Sequence, residues 1–256
     1  MGVDGWGEIE KKPVALLSAT LGEIELFLGG AMVVEEEGSI DGVPFYSGTC
    51  GGHGVVVAVT GVGIRRARRG TNIIIARFKP RMVLSAGLSG ALSPELRVGQ
   101  VVLGEYVVSR LKGERKEFAK VGLGGLRSLE PEGAVISGGI LTESGFVHEP
   151  RRKRSLFEET GVLCVDMESW GVVEAAAGAG VPVVSMRAVS DESTEKLPDV
   201  GAFYAKGGGF SVTKAAGYFL RHPRSIYPYY RFRRVNCPKA GEALKQAIEA
   251  FILSLP

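Results

Sequence analysis

The sequence is poor in aromatic residues and in cysteine, and it has no long hydrophobic run. Aromatic side chains make up 8% of the 256 residues. The three cysteines, Cys50, Cys164 and Cys237, are far apart and form no CxxC pair, which suggests neither a disulfide framework nor a zinc knuckle. No stretch of about 18 residues is free of charge and the N-terminus carries no apolar segment, so neither a membrane span nor export is expected. These absences predict a protein of a reducing compartment, and we expect a cytoplasmic location.

The remaining composition is typical of one α/β domain. Hydrophobic residues make up 45% of the chain and charged residues 23%, and there are 37 glycines, which is enough apolar material for a large core with tight turns. The formal net charge is +3, and the stretch from residue 221 to residue 239 holds six basic residues and no acid. This balance does not predict a nucleic-acid-binding protein, but it leaves open an anionic partner for the C-terminal part.

Short apolar runs bounded by glycine alternate with longer helical patterns, as in βα units around a buried sheet. Strands are predicted at residues 13–19, 32–36, 54–60, 82–86, 101–108, 134–140, 162–165 and 182–189. Helices are predicted at residues 21–28, 64–78, 150–159, 168–179, 203–220 and 239–253. In such folds functional groups collect at the carboxyl ends of the strands. Four segments end predicted strands in this way: SATLGE, TGVG, SAGLSG and SMRAVSD.

The TGVG segment is a candidate anion or sugar site. Thr60 and Gly61 stand between a strand and a helix, where free N–H groups and the helix dipole can hold an oxygen. Arg66 occupies the place of the third glycine of a GxGxxG motif, so a dinucleotide site is not predicted. The arginines that follow, Arg65 among them, form either a solvated helix face or a phosphate contact.

The segments VDMES and RAVSD carry acids at two neighbouring strand ends, which can serve one pocket. Asp166 and Glu168 end one strand, and the next predicted strand runs to Arg187 and Asp191. Asp191 could instead cap the following turn. The small residues of SAGLSG could admit a ligand close to the backbone or allow tight strand packing.

Taken together, these segments resemble the nucleoside phosphorylase and nucleosidase superfamily. The resemblance runs from Val14 to about Asp191 and rests on five motifs in register: ALLSATLGEI, VTGVGIRRARRGT, FKPRMVLSAGLSGALSPELRVGQVV, VDMES and RAVSD. It implies a single-domain three-layer α/β/α fold with a central twisted mixed sheet over residues 1–256, with a basic aromatic C-terminal extension from about residue 221. It also implies an enzyme that cleaves the N-glycosidic bond of a purine-type nucleoside.

The resemblance assigns roles by position. Glu23 matches the carboxylate that handles the attacking water, Asp191 the acid that protonates the leaving base, and Arg187 the arginine that orders the surroundings of the nucleophile. Glu168 matches the residue that binds the ribose hydroxyls. The other expected substrate contacts are Met167 against the sugar, Gly61, Gly87, Leu88, Ser89 and Ser190, and the candidate phosphate contacts are Arg65 and Thr60.

Hydrolysis is expected over phosphorolysis, which remains the alternative. Leu88 replaces a serine that touches ribose or phosphate in many members, and ATLGE replaces the first loop that carries the phosphate arginine in purine phosphorylases. The aromatic residue that nucleosidases place against the base is also missing after Ile136, and Phe146, Phe203 or Tyr204 is the candidate replacement.

The C-terminal part resembles a bacterial subgroup of hopanoid-associated phosphorylases. That resemblance would imply a lipid-linked adenosine as substrate and a tail that contacts an anionic membrane surface, whereas an ordinary surface helix or an oligomer contact is the alternative. A homo-oligomer is expected from the family. No cofactor is implied, and the scattered His53, His148 and His222 predict no metal site. A non-catalytic nucleoside-binding protein on the same scaffold is the competing class of function.

Overall fold

The computed structural model describes residues 12–118, 134–203 and 211–256. The strands of these segments are β1 (Val14–Ser18), β2 (Val33–Ile40), β3 (Val43–Cys50), β4 (His53–Val59), β5 (Met82–Ala91), β6 (Val101–Ser109), β7 (Glu114–Glu117), β8 (Val135–Thr142), β9 (Cys164–Asp166) and β10 (Val183–Asp191). The α-helices are α1 (Leu21–Gly30), α2 (Ile64–Phe78), α3 (Pro150–Thr160), α4 (Ser169–Gly178), α5 (Val212–Arg221), α6 (Ile226–Arg231) and α7 (Cys237–Leu253). Two 3₁₀ turns, Val200–Phe203 and Pro223–Ser225, and a π-helical turn, Phe232–Asn236, join them.

The strands form one mixed sheet that closes on itself at one end. The strand order is β10-β6-β8-β9-β5-β1-β4-β3-β2, and β7 pairs with β6. β10 also pairs in parallel with β5, from Val183 opposite Val83 onward, so β5, β10, β6, β8 and β9 form a ring. Because β1, β5 and β10 are parallel neighbours, their carboxyl ends meet at one edge of the sheet.

Helices cover both faces of the sheet, as the predicted three-layer fold requires. Successive residues of a strand point to opposite faces, and in β1 Leu16 faces the core beneath α1 and α7 while Leu17 faces the core beneath α2 and α4. Both side chains are almost completely buried. The alternation therefore produces two cores, one on each face of the sheet. Because β1 is buried on both faces, its sequence is the continuous apolar run VALL.

Glycine allows α4 to pack directly on α2. A Cβ atom at Gly171 of α4 would lie 2.2 Å from the carbonyl oxygen of Ile64 and 3.1 Å from the backbone nitrogen of Arg68. No side chain can stand at that separation. Because the side chains on this face of α4 are small, α2 packs closely on α4, and the start of α2 therefore lies close to the end of β9, which α4 follows.

The predicted elements correspond to observed ones with a few differences. The fold class is confirmed, and the helix at residues 64–78 has the predicted bounds. β3 was missed although a two-residue Asp41-Gly42 turn, with φ of 50° and 78°, precedes it and is a hairpin signal. The predicted helix at residues 203–220 instead begins at Val212, where the Ser211 side chain accepts from the N–H of Lys214, and residues 204–210 lie outside the described segments.

The C-terminal part consists of two unlike stretches. α7 packs into the core with Leu244, Ile248 and Phe251 fully buried, so it is part of the main fold. The preceding stretch, from α5 through α6, instead exposes large apolar side chains, including Leu220 and Tyr227. Among the described residues, no helix is both long and apolar enough to cross a bilayer.

Candidate functional site

A cavity of about 210 Å³ opens at the edge where β1, β5, β9 and β10 end, and we call it the first cavity. It is lined by residues from these strand ends, from the segment around Phe146 and from the π-helical turn near the C-terminus. The lining residues named below are Glu23, Leu88, Ser89, Phe146, Asp166, Met167, Glu168, Ser190, Phe232, Arg233 and Cys237. Loops that are distant in sequence meet here because the sheet brings their strands together.

Glu23 stands in the first turn of α1, and neutral donors hold both of its carboxylate oxygens. Oε2 accepts from the Oγ of Ser18 at 2.9 Å and from the backbone N–H of Thr20 at 2.9 Å. Oε1 accepts from the backbone N–H of Leu88 at 3.1 Å. Glu23 caps its own helix through Thr20, yet it also reaches across to β5 and lines the cavity. Capping of α1 does not explain the hydrogen bond from Leu88 of β5 to Glu23.

Glu168 lies at the start of α4 and faces the same cavity. Its Oε1 accepts from the N–H of Gly63 at 2.7 Å, and Gly63 has a φ of 98°, a conformation that favours glycine. Burial is the main cause that raises the pKa of Glu168 to about 8, and the nearby carboxylates of Asp166 and Glu23 raise it further. The Gly63 N–H and Arg187 act in the opposite direction. Glu168 is therefore poised to change charge near neutral pH.

Arg187 is buried beneath the first cavity and is fully engaged by protein groups. Its Nε donates to Oδ2 of Asp166 at 2.7 Å, and its Nη atoms donate to the carbonyl oxygens of Ser85 and Met186 and to the Oγ of Ser85, at 2.8–2.9 Å. Only 2% of the residue is exposed. Arg187 lines a small void of about 10 Å³ together with Glu23 and Glu168, so it acts on them through its charge.

Asp191, the candidate acid, is completely buried at the end of β10 and forms an ion pair with Lys153 of α3, which is also completely buried. Lys153 Nζ donates to Oδ2 of Asp191 and, at 2.7 Å, to the carbonyl oxygen of Glu192. Oδ1 of Asp191 accepts from the Oγ of Ser190 at 2.9 Å, and Ser190 lines the first cavity. Burial raises the pKa of Asp191, while Lys153 and Ser190 lower it. The structure does not show the capping alternative, because the two carboxylate oxygens of Asp191 accept from the side chains of Lys153 and Ser190 and not from the N–H groups of the following turn.

Most of the predicted substrate contacts lie at or beside this cavity. Leu88, Ser89, Met167, Glu168 and Ser190 line it. Gly87 lies directly behind, where an added Cβ would approach Oε1 of Glu23 to 3.1 Å. Thr60 lines the small void next to Glu23 and Glu168 as well as a separate surface cavity near Pro44. The remaining two lie elsewhere: Gly61 lines that surface cavity, and Arg65 lines another one beside Trp170.

Sequence reasoning missed several residues of the site. Lys153 stands among the basic residues PRRKR, which read as a solvated helix face, and only the tertiary structure shows its burial. Phe232 and Arg233 come from the π-helical turn, far along the chain. Of the candidate aromatic residues, Phe146 lines the cavity and lies 6.4 Å from the ring of Phe232.

The other two aromatic candidates do not reach the cavity lining in the described structure. Phe203 is fully buried against Tyr218, Phe219 and Tyr229. Tyr204 lies outside the described residues.

Comparison with known proteins assigns the chain to a family. The model of the phosphorylase superfamily matches residues 13–211. The chain is 27% identical over 203 residues to the 5'-methylthioadenosine/S-adenosylhomocysteine nucleosidase of Anoxybacillus flavithermus, covering 70% of this chain and 84% of the relative. It is 29% identical over 205 residues to the enzyme of the same name from Geobacillus thermodenitrificans, covering 71% and 85%. The chain belongs to the phosphorylase superfamily.

Solved structures show the same fold. The S-adenosylhomocysteine nucleosidase of Streptococcus pyogenes superposes with a TM-score of 0.75 at 19% identity over the whole of both chains. A futalosine hydrolase mutant of Helicobacter pylori superposes with a TM-score of 0.72 at 19% identity, covering 95% of this chain and all of that one. The predicted family, fold and class of enzyme, one that cleaves N-glycosidic bonds, are confirmed.

Proposed function

We propose that this chain hydrolyses the N-glycosidic bond of a purine nucleoside held in the first cavity. One observation carries the proposal: Glu23 and Glu168 face the same cavity from two different elements, and the buried acid Asp191 abuts its wall through Ser190. Glycosidic cleavage needs negative charge at the sugar, a nucleophile and a proton for the leaving base. The site supplies a group for each need.

Carboxylates stabilise the sugar in the transition state. Positive charge develops on the ribose ring as the bond to the base breaks, and it is stabilised by Glu168 and Glu23, which face the cavity from two elements. Glu168 also accepts hydrogen bonds from the ribose hydroxyls in its ionised form. Because its pKa is about 8 in the free protein, binding of the sugar strengthens as the pH rises toward 8.

Water is the nucleophile that the charges near Glu23 favour. A phosphate dianion beside this carboxylate would be repelled unless a cation offset the charge. Arg187 does not offset this repulsion by binding phosphate, because its side chain already donates to Asp166 and Ser85. In the described part of the chain, Arg233 is the one cation that lines the first cavity. Glu23 can accept a proton from water at its cavity-facing edge and so orient the attack.

The leaving base receives its proton from the Asp191 end of the cavity. Ser190 Oγ stands between the cavity and Oδ1 of Asp191, and Lys153 holds the other carboxylate oxygen. Asp191 serves in its protonated form, which burial favours because it raises the pKa of this group. As the base departs, the carboxyl group delivers that proton toward N7, the positive charge of Lys153 stabilises the carboxylate that remains, and a proton from solvent restores the acid. Phe146 and Phe232 supply apolar surface for the base.

The relatives suggest which nucleosides to test first. Those named above are nucleosidases of 5'-methylthioadenosine and S-adenosylhomocysteine. Purified protein is incubated with methylthioadenosine, adenosine and inosine, with and without inorganic phosphate, and free base and sugar are separated by chromatography. Release of base with free sugar as the other product supports the proposal. A ribose 1-phosphate product would replace it by phosphorolysis, and no base from any nucleoside would favour a binding protein.

We also propose two further features of the protein, its assembly in the cell and a contact with lipid. A homo-oligomer in the cytoplasm is supported by the family, and light scattering of the purified protein together with cell fractionation tests it. The exposed side chains of the stretch from α5 through α6, with Leu220, Arg224 of the 3₁₀ turn and Tyr227 among them, have the apolar and basic character of a surface that contacts anionic lipid. Sedimentation with phosphatidylserine vesicles tests that contact, with neutral vesicles as the control.

A further inference from the structure

One carboxylate joins the turn that follows β10 to the C-terminal part of the chain. Oε2 of Glu195 accepts from the backbone N–H of Glu192 at 3.0 Å and from Nδ2 of Asn236 at 3.2 Å. Oε1 of Glu195 pairs with Arg231 at 3.6 Å. Glu192 directly follows the proposed acid, Asp191. Asn236 ends the π-helical turn, and Arg231 ends α6. Glu195 therefore connects the segment of the acid with a segment that lines the first cavity.

The turn after β10 holds the cation that pairs with the acid. The carbonyl oxygen of Glu192 accepts from Nζ of Lys153 at 2.7 Å, and the same lysine pairs with Asp191. This carbonyl also accepts from the backbone N–H of Glu195 at 3.1 Å. Glu195 thus binds the N–H of Glu192 with its side chain and the carbonyl of Glu192 with its backbone. The direction in which that carbonyl faces Lys153 depends on both contacts.

The π-helical turn provides the other half of the contact. π turns are rare in helices and occur frequently at functional sites. Here Phe232 and Arg233 line the first cavity, while Asn236, which is only 3% exposed, donates to Glu195. The turn lies beyond residues 13–211, which match the family model, so the shared motifs of the family do not define it.

Surface stabilisation does not account for this arrangement. The ion pair of Glu195 with Arg231 is long, and the side chain of Arg231 is 54% exposed, so the pair contributes little to stability. The two shorter contacts converge on the other carboxylate oxygen and reach the turn of the acid and the wall of the first cavity. Glu195 thereby fixes these two parts relative to each other.

The charges that face Asp191 come from three elements. Burial is the main cause that raises the pKa of Asp191, Lys153 of α3 and the hydroxyl of Ser190 lower it, and the negative charge of Glu195 raises it. Cys237 of α7 lies nearby, but burial raises the pKa of its thiol to about 11, so it is neutral at physiological pH. The carboxylate of Glu195 therefore favours the protonated form of Asp191, which is the form that serves a leaving base.

We infer that Glu195 is a positioning residue for the acid, which aligns the turn behind Asp191 with the cavity wall that the π-helical turn presents to the base. This inference rests on the proposed function, because it takes Asp191 to be the group that protonates the leaving base. Glu195 does not itself line the first cavity in the described structure, and it acts through Glu192 and Lys153.

Two variants of Glu195 separate the hydrogen bonds from the charge. The substrate is whichever of methylthioadenosine, adenosine and inosine the wild type cleaves fastest. Glu195→Ala removes both features, and kcat for base release should fall by about tenfold while KM changes by less than about twofold, the effect of one lost hydrogen bond on the chemical step. Glu242→Ala is the matched control, because Glu242 pairs with Lys245 in α7 and does not line the first cavity.

Glu195→Gln keeps an acceptor oxygen without the charge. Because both donors converge on Oε2, a glutamine oxygen in the same place can accept from them. This variant should recover most of the wild-type kcat at about pH 6. The alkaline limb of its kcat/KM profile should lie at lower pH than in the wild type, because the charge that favours protonated Asp191 is absent.

A double variant shows whether Glu195 acts through the acid. In the Asp191→Asn background there is no acid to position, so adding Glu195→Ala should lower kcat there by less than about twofold, whereas independent effects would multiply. Urea unfolding of each variant shows whether equal amounts of folded protein are compared.

Any of four results would overturn the inference: wild-type kcat in Glu195→Ala, a loss confined to KM, an unshifted alkaline limb in Glu195→Gln, or the full tenfold loss in the Asp191→Asn background. All four would leave the proposed function intact. The proposed function fails, and the inference with it, if the wild-type protein releases no base or if Asp191→Asn has wild-type turnover.

Discussion

Replacing Lys153 by methionine tests the buried pair at the proposed acid. Lys153 and Asp191 are completely buried and paired, and methionine has a similar volume without the charge. Removal of one partner leaves a buried carboxylate without its cation, which typically costs about 3–5 kcal/mol. Asp191 can limit this cost by taking up a proton. For a group with an ordinary pKa of 3.8, protonation at pH 7 costs about 4.4 kcal/mol, so the two estimates agree.

The loss of stability should depend on pH with a defined sign. In the variant, burial raises the pKa of Asp191 and Lys153 no longer opposes it. A carboxyl group whose folded pKa lies above its unfolded value stabilises the fold below the unfolded pKa and loses that contribution as the pH rises through the folded pKa. The difference in unfolding free energy between wild type and variant should therefore be greatest where Asp191 is ionised in the wild type and protonated in the variant, and it should shrink as the pH falls, by at most about 1.4 kcal/mol per pH unit.

Urea unfolding between about pH 5 and pH 8 measures this difference. The double variant Lys153→Met/Asp191→Asn removes the titrating group, and it should show no such slope and recover part of the stability. Lys196→Met is the matched control, because Lys196 pairs with Glu149 at the surface and its side chain is 69% exposed. A cost below about 1 kcal/mol at pH 7, or a cost that does not change with pH, would refute the buried pair.

The same variant has a kinetic signature. Without Lys153 the pKa of Asp191 rises, so Asp191 stays protonated to higher pH. If Asp191 is the acid that serves the leaving base, the alkaline limb of the kcat/KM profile should move to higher pH. A purely structural role for the pair would lower the amount of folded protein and leave the limb in place.

Three further outcomes follow from the site and the fold. Asp191→Asn should bind substrate but lower kcat by about 10²–10⁴-fold in a base-release assay, because an amide cannot deliver a proton; wild-type turnover would contradict the assignment. Glu168→Gln should weaken substrate binding and remove the pH dependence of KM between about pH 6 and pH 8, since the group whose pKa is about 8 is gone; a KM profile that keeps its wild-type shape would contradict it. Gly171→Ala should lower the unfolding free energy by about 1–3 kcal/mol, because a Cβ would lie 2.2 Å from a carbonyl oxygen of α2. Gly178→Ala is the control, because Gly178 lies in the same helix with open space around it, and this variant should not lower the unfolding free energy. Equal losses of stability in the two variants would argue against tight packing of α4 on α2.

The fold was predictable because its signals are local. A buried strand such as VALL needs four apolar residues in sequence, and α2 needs apolar residues at helical spacing with a glycine before its first turn. The closure of the sheet through β10 and β5 was not predictable, because it depends on the register between strands about one hundred residues apart. The hairpin strand β3 was missed for another reason: it carries a proline, Pro44, at an exposed position and a glycine, Gly48, at a partly buried one, and both residues are uncommon within strands.

The site was predictable where a residue lies at a strand end and matches a motif. Glu23, Glu168 and Ser190 came from such segments and meet at one cavity. Lys153 could not be found in this way, since its neighbours Arg151, Arg152 and Arg154 indicate a solvated face, and its burial depends on the approach of α3 to the end of β10. The position of Arg187 was found, but its engagement with Asp166 and Ser85 depends on side-chain directions that a sequence does not contain.

The charges of the site are arranged by function rather than for stability. A buried ion pair contributes little to stability compared with apolar residues of the same volume, yet two such pairs, Asp166 with Arg187 and Asp191 with Lys153, lie at the ends of β9 and β10. Lys153 compensates Asp191, which lies outside the first cavity, and Arg187 compensates Asp166, which lines it. Glu23 and Glu168, which face it, accept hydrogen bonds from uncharged N–H and O–H groups in the described structure. The negative charge of Glu23, and that of Glu168 as the pH rises toward its pKa of about 8, lies where an oxocarbenium-like sugar would form, while Lys153 stabilises the carboxylate that Asp191 becomes once it has given up its proton.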